Sequence, residues 1–149
     1  MAELNYYSAL DTYPQEYEDS TRLYKFYDYL RENKLATTRC KDCDQLHWPP
    51  RIICPNCISD NLDWEEIPIN AKIYSYTVQY LGLPPEMVDK APIVFAMLDF
   101  DNGLRLLSAI VDAKEDEVKT GMAVELVVGK VNPDYQGRER IIPYFRLKK

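Results

Sequence analysis

The chain has 149 residues, of which 46% are hydrophobic and 28% charged, so it is long enough for one globular domain or two small ones and unlike a disordered chain. Lys and Arg number 18 against 24 Asp and Glu, and the net charge of -6 argues against a protein that binds nucleic acid through a broadly cationic surface. The apolar runs are too short to span a bilayer and the first residues lack a signal-peptide pattern, so we expect a cytoplasmic protein with reduced cysteines.

Residues 1–34 are predicted to form an acidic helical segment. Its apolar side chains recur at the spacing of one helix face, namely Leu23, Phe26, Tyr27 and Leu30. We expect a helix of about five turns, capped by Asp19 or Ser20. Seven of the twelve tyrosines lie before residue 30, which is typical of a half-buried surface. That surface either docks on a partner subunit or packs on its own domain, and the sequence leaves both interpretations open.

Residues 35–68 are predicted to form a zinc ribbon. Two C-x2-C pairs are separated by ten residues and comprise Cys40, Cys43, Cys54 and Cys57. Two such turns facing each other complete a tetrahedron of thiolates, and a ribbon this short needs a metal to supply its folding free energy. We therefore predict a closed, structural Zn²⁺ site with these four ligands, with iron as the alternative. A glycine commonly follows each pair, whereas Asp44 and Ile58 stand there, which predicts a less regular sulfur shell than a redox iron centre has.

The basic residues near the cysteines allow two interpretations. Four thiolates and Zn²⁺ carry about -2, so Arg39, Lys41 and Arg51 are expected to neutralise this charge locally rather than to form a dedicated phosphate site. His47 is the only histidine, and we expect it to be a surface or stacking residue and not a metal ligand.

Residues 69–149 are predicted to form a five-stranded OB-fold barrel. We expect strands at 71–81, 92–101, 104–111, 123–131 and 140–147, with a short helix within 112–120, which is the element order of that fold. Asn102-Gly103 predicts a hairpin between the second and third strands. Strict alternation in the first strand puts one set of side chains on a single face, namely Ile73, Ser75, Thr77 and Gln79.

The order of these segments resembles a known family. The string Pro49-Pro50-Arg51-x2-Cys54-Pro55-Asn56-Cys57, the strand Tyr74-Ser75-Tyr76-Thr77, Gly121-Met122-x-Val124 and Pro143 are similar to the acyl-CoA-associated OB-fold proteins with a rubredoxin-like zinc ribbon, or domain of unknown function thirty-five. The resemblance implies a mainly β fold with N-terminal helices. It also implies a non-catalytic accessory subunit that bridges a hetero-oligomeric, thiolase-like complex and helps to bind acyl-CoA or CoA.

The sequence itself agrees with that division of labour. Beyond the four predicted zinc ligands the chain has no cysteine, and one histidine is too little for a catalytic dyad, so we expect no catalytic residues here and place the chemistry on a thiolase-fold partner. The alternative is a protein that binds single-stranded nucleic acid. Its support is the stretch from Lys130 to the end, which holds six bases against two acids, together with Tyr135, Tyr144 and Phe145.

Overall fold

The structure, a computed structural model, describes residues 2–3, 15–83 and 85–149. Within these residues the chain is mainly β, with one α-helix and nine strands in two sheets. The elements are α1 (Tyr24–Arg31), β1 (Ala2–Glu3), β2 (Leu35–Cys40), β3 (Leu46–His47), β4 (Leu62–Ile67), β5 (Asn70–Gln79), β6 (Ile93–Asp99), β7 (Arg105–Val111), β8 (Ala123–Val131) and β9 (Arg140–Leu147). No helix in this part of the chain is both long and apolar enough to cross a membrane.

Strands β5 to β9 close into a barrel in the order β5-β6-β7-β9-β8-β5. All the pairings are antiparallel except β7–β9, which is parallel. These strands are rich in Val, Ile and Phe, and alternate side chains point into the barrel. The predicted OB-fold is confirmed, and β1 adds a short parallel pairing to β8 at Gly129 and Lys130.

The predicted hairpin joins β6 and β7. Gly103 has φ +83°, and its N–H donates to the carbonyl oxygen of Phe100 at 2.9 Å. The Asn102 side chain accepts from the N–H of Leu104 at 3.2 Å, which closes the other side of the turn. This left-handed conformation favours glycine, so the Asn-Gly signal identified the turn correctly.

The strict alternation expected in β5 is wrong. The register with β6 shifts between Ile73 and Ser75, which makes Tyr74 an extra residue, as in a β-bulge. Beyond the bulge the faces exchange, so Ile73 packs in the core with Val78, whereas Ser75 and Thr77 are exposed.

The short helix expected within 112–120 is present as a single 3₁₀ turn, Glu115–Glu117, and not as an α-helix. Asp112 has φ 56° and Lys114 is extended, which are both incompatible with a helix that begins earlier. The Glu117 carboxylate accepts from the N–H of Lys114 at 2.8 Å and caps this turn.

The N-terminal helix is shorter than predicted. It has eight residues, starts after Leu23 without a side-chain cap, and is followed by Asn33 with φ 58°. Asp19 and Ser20 therefore do not cap it; Asp19 instead pairs with Arg138 at 3.0 Å. Three of the tyrosines on which the segment was predicted lie outside the described residues: Tyr6, Tyr7 and Tyr13. The apolar stripe packs on its own chain, since Phe26 and Leu30 are buried in the core.

One continuous core joins the helix, the ribbon and the barrel. Leu30 of α1, Leu35 of β2 and Ile67 of β4 belong to the same buried cluster as Val124 and Phe145 of the barrel. The three segments 1–34, 35–68 and 69–149 thus share buried side chains. Their limits as separate domains stay a prediction.

A buried carboxylate ties the residues before the helix to the barrel. Glu16 is 2% exposed. One of its oxygens accepts from the backbone N–H of Ile141 in β9 at 2.9 Å, and the other pairs with Arg31 of α1 at 3.0 Å. Because burial of an unpaired carboxylate is costly, these two contacts fix the helix and β9 relative to each other.

Candidate metal centre

The ribbon is a three-stranded sheet in the order β3-β2-β4, with each C-x2-C pair in a turn at its end. Strand β2 pairs antiparallel with β4 over its whole length, from Leu35 opposite Ile67 to Cys40 opposite Leu62. The first pair of cysteines begins with Cys40, the last residue of β2, and the second lies in the turn before β4. The pairing of these strands therefore brings the two turns to the same end of the sheet.

The four predicted ligands converge. Their Sγ atoms all lie within 4.8 Å of one another, and those of Cys40 and Cys57, and of Cys43 and Cys54, are both 3.6 Å apart. Tetrahedral coordination with metal–sulfur bonds of about 2.3 Å puts the sulfurs roughly 3.8 Å apart. Cys40 and Cys54 are buried, whereas Cys57 is exposed. The donor set and its spacing thus fit a tetrahedral metal ion with one ligand near solvent.

The two residues that stand in place of glycine do not distort the turns. Asp44 has φ 58° and Ile58 has φ 62°, so both adopt the left-handed conformation that glycine would adopt. Amides still form the turns, since the N–H of Ile58 donates to the carbonyl oxygen of Cys54 at 2.9 Å and the N–H of Cys40 to that of Gln45 at 2.9 Å. The less regular shell expected from the sequence is therefore not seen in the backbone.

Replacing Ile58 by Gly is expected to stabilise the metal-loaded protein. A left-handed conformation costs an L-residue about 1–2 kcal/mol, whereas glycine costs about 0.4–1 kcal/mol because its unfolded state is freer, so a net gain of up to about 1.5 kcal/mol should follow. Urea unfolding measures it. Ile53→Gly is the matched control, because Ile53 is also exposed but has no positive φ, and it should be destabilising. Equal losses of unfolding free energy in both variants would contradict backbone strain at Ile58.

Hydrogen bonds distribute protons unevenly over the thiols. The Asn56 side chain, followed by the backbone at Gln45, lowers the pKa of Cys43 to about 6. At Cys57 a backbone hydrogen bond at Ser59 acts to lower the pKa, but desolvation and the neighbouring thiols together raise it to about 12. A metal ion that binds this cluster displaces the thiol protons, so its affinity should fall at low pH.

The cations around the ribbon differ in their partners. Arg39 pairs with Glu65 at 2.6 Å, which also lowers the pKa of that carboxyl, and Lys41 pairs with Asp63 at 2.8 Å. These two side chains neutralise carboxylates of β4 and not the sulfurs alone, which corrects the expectation from the sequence. Arg51 is exposed, and among the described residues its guanidinium forms no ion pair.

His47 is not a surface residue. It lies in β3 opposite Thr38, is 7% exposed and is absent from the sulfur cluster. Its backbone carbonyl accepts a hydrogen bond from Thr37, and among the described residues its Nε2 atom has no hydrogen-bond partner. The expected surface position is wrong, whereas its exclusion from the ligand set agrees with the geometry.

The C-terminal bases are mostly engaged by acids and carbonyls. Lys130 pairs with Glu139 at 2.6 Å and Arg146 with Glu125 at 2.9 Å. Two further guanidinium groups are held in place, that of Arg138 by Asp134 and Asp19 and that of Arg140 by the carbonyl oxygen of Asn132. Three of the six bases that supported nucleic-acid binding are therefore paired with carboxylates.

The fold and the cysteine cluster define a rubredoxin-like zinc ribbon joined to an OB-fold barrel. Two family descriptions match in that order: "ChsH2, rubredoxin-like zinc ribbon domain" over residues 28–63 and "ChsH2, C-terminal OB-fold domain" over residues 64–129. A DUF35 domain-containing scaffold protein of Methanocaldococcus jannaschii is 35% identical over 74% of this chain and 77% of its own length. Another, of Methanothermobacter thermautotrophicus, is 36% identical over 76% of this chain and 85% of its own. The chain belongs to the DUF35 family of scaffold proteins.

Further relatives extend the comparison to named complexes. The benzoylsuccinyl-CoA thiolase subunit BbsA of Geobacter metallireducens is 28% identical over 62% of this chain and 60% of its own length. A probable enoyl-CoA hydratase alpha subunit of Thermomonospora curvata is 30% identical over 81% of this chain but only 36% of its own. The solved Ltp2-ChsH2(DUF35) aldolase superposes with a TM-score of 0.69 at 27% identity, over 85% of this chain and 95% of that one.

Proposed function

We propose that this protein is a non-catalytic accessory subunit that bridges a thiolase-like complex and helps it to bind an acyl-CoA. The observation that carries the proposal is the use of the cysteines. All four lie in one cluster, and the single histidine is buried in β3. This leaves no cysteine–histidine pair for acyl transfer, so the chemistry falls to the partner. The names of the relatives, a thiolase subunit and an aldolase complex among them, support the same division.

The proposal includes the metal and its ligands. Cys40, Cys43, Cys54 and Cys57 would hold a structural Zn²⁺ ion, which supplies a fixed tetrahedral cross-link and no redox chemistry. The left-handed backbone after each pair and the sulfur spacing support this assignment. The role of the chain's own residues is to keep the two turns together at the end of the sheet.

The ribbon also exposes apolar side chains beside the second cysteine pair. Ile52 is 44% exposed, Ile53 50% and Ile58 74%. Three exposed isoleucines within seven residues of one another support contact with another subunit. We assign this surface to the thiolase-fold partner.

Purification of the tagged, zinc-loaded chain from its native cells tests the proposal. A thiolase-fold subunit should co-elute in a fixed ratio, and acyl-CoA condensation or cleavage should require both chains. Ile52→Ser with Ile53→Ser should weaken the complex about tenfold, whereas Leu107→Ser, which removes a 67% exposed side chain from the barrel, should not. Acyl-CoA turnover by the isolated chain would refute the accessory role, as would salt-sensitive binding of a single-stranded oligonucleotide with no thiolase-fold partner.

A further inference from the structure

A cavity of about 280 Å³ lies on the ribbon sheet beside the helix. Its floor consists of Thr38, Leu62 and Trp64. Thr38 of β2 and Trp64 of β4 are directly opposed across the strand pair, so their side chains lie side by side on the same face of the sheet. The arginines Arg22 and Arg51 line the same cavity, Arg22 from the turn before α1 and Arg51 from the loop before the second cysteine pair.

These two arginines differ from most others in the protein. Arg31, Arg39 and Arg138 each form an ion pair with a carboxylate at 3.0 Å or less. Arg22 and Arg51 form none among the residues that the structure describes, although both face one cavity. The protein thus leaves two guanidinium groups available at a single place.

The backbone of Arg51 is held firmly in that position. Its N–H donates to Oγ1 of Thr38 at 2.8 Å, and Thr38 is itself 2% exposed. The loop that carries the guanidinium is therefore anchored to the central strand of the ribbon. Such anchoring lowers the entropic cost of presenting the side chain to a ligand.

The lining has the chemistry of a site for a phosphorylated nucleotide. A guanidinium group can bind two phosphate oxygens at once. The half-buried indole of Trp64 lies 6.2 Å from the Tyr29 ring, centroid to centroid, and the part of it that lines the cavity is a surface on which a planar base can stack. Asp60 also lines the cavity and can accept a hydrogen bond from an amino or hydroxyl group. The volume is below the range of about 300–1,000 Å³ for sites that enclose a drug-sized ligand, so the site fits one end of a longer molecule.

We propose that the cavity formed by Arg22, Arg51 and Trp64 binds the phosphorylated adenosine end of coenzyme A or its thioesters. The identity of the ligand rests on the proposed function, whereas the requirement for a phosphate and a planar base comes from the side chains. The phosphates lie against the two guanidinium groups and the adenine on the indole. The acyl end then extends beyond this chain toward the partner.

Binding is measured on the full, zinc-loaded chain with coenzyme A and with adenosine 3′,5′-bisphosphate as probes. The two indole N–H signals of the protein are followed by ¹H–¹⁵N NMR, with Trp64→Phe to assign them. The signal of Trp64 should shift on titration with either probe, and that of Trp48, which packs against Phe26 in the core, should not. Adenosine without phosphate should bind at least tenfold more weakly.

Three charge variants test whether binding weakens when a positive charge is removed and tightens when a negative one is removed. Arg51→Gln and Arg22→Gln should each weaken binding of the bisphosphate about tenfold, and Asp60→Asn should tighten it severalfold. Lys25→Gln removes one charge from an exposed position of α1 that does not line the cavity, and it should change binding less than twofold. Equal effects of Arg51→Gln and Lys25→Gln, or shifts that miss Trp64, would overturn the site.

The outcomes separate this proposal from the proposed function. A chain that joins a thiolase-fold subunit but binds neither probe at Trp64 would refute the cavity and leave the accessory role intact. A chain that binds both probes here but never joins such a subunit would refute the accessory role alone. An oligo-deoxythymidine that shifts the Trp64 signal and binds more tightly than coenzyme A would refute coenzyme A as the ligand and indicate single-stranded nucleic acid.

Discussion

Replacing Cys54 by Ser is expected to abolish metal binding and to unfold the ribbon. The Cys54 side chain is fully buried, with its Sγ 3.6 Å from that of Cys43. A hydroxyl in its place removes one of the four ligands and leaves an incomplete metal site. Structural zinc supplies about 10–16 kcal/mol in small zinc-finger peptides, more than most whole domains can lose. The loss should reach β2 and β4, which hold the two cysteine turns in place.

Elemental analysis and hydrogen exchange measure this effect. The unaltered chain should contain one zinc per molecule, and its β2 amides should be protected until a chelator removes the metal. Ile53→Ser is the matched control, since it introduces the same side chain at the adjacent, half-exposed position and should keep the zinc. A folded ribbon without metal would refute the structural role. One iron per chain, with visible absorption from iron–thiolate bonds, would show that the metal is iron and not zinc.

Glu16→Ala should cost about 3 kcal/mol of unfolding free energy. The substitution leaves the buried N–H of Ile141 without its acceptor and takes from Arg31 its nearer carboxylate, and breaking a buried pair of this kind costs about 3–5 kcal/mol. Arg31 keeps Asp28 at 3.4 Å, so the loss should lie at the low end of that range. Glu16→Gln keeps an oxygen for Ile141 and should lose less.

Chemical denaturation of the zinc-loaded protein measures the difference. Glu18→Ala is the control, because it removes the same side chain two residues away at an exposed position and should change the stability by no more than about 0.5 kcal/mol. Losses of similar size in the two variants would mean that the buried carboxylate does not tie the helix to β9.

Local signals predicted most of the architecture. The spacing of the cysteines predicted the cluster, because two C-x2-C turns can satisfy a metal only by facing each other. Alternation and the Asn-Gly turn predicted all five barrel strands to within two residues at either end. These features depend on residues close together in the sequence, which is where patterns of composition are informative.

Contacts over long sequence distances could not be predicted in this way. The pairing of Asp19 with Arg138 and of Glu16 with Ile141 spans about 120 positions, so a tally of charge by segment showed the bases but not their partners. The same holds for the cavity, since Arg22 and Arg51 meet only once α1 has packed on the ribbon. The cysteine pattern marked Ile58 as standing at a position where glycine is common, but it could not say that the backbone there keeps the left-handed conformation.

The shared core of ribbon and barrel limits how this protein can be divided or recombined. A chain cut near residue 68 would expose Leu35 and Ile67 on one fragment and Val124 on the other, so neither half would keep a dry interior. Grafting the ribbon onto a foreign barrel would require matching side chains at that junction. The two halves therefore have to be engineered as one piece, and a change of partner has to be made on the surface.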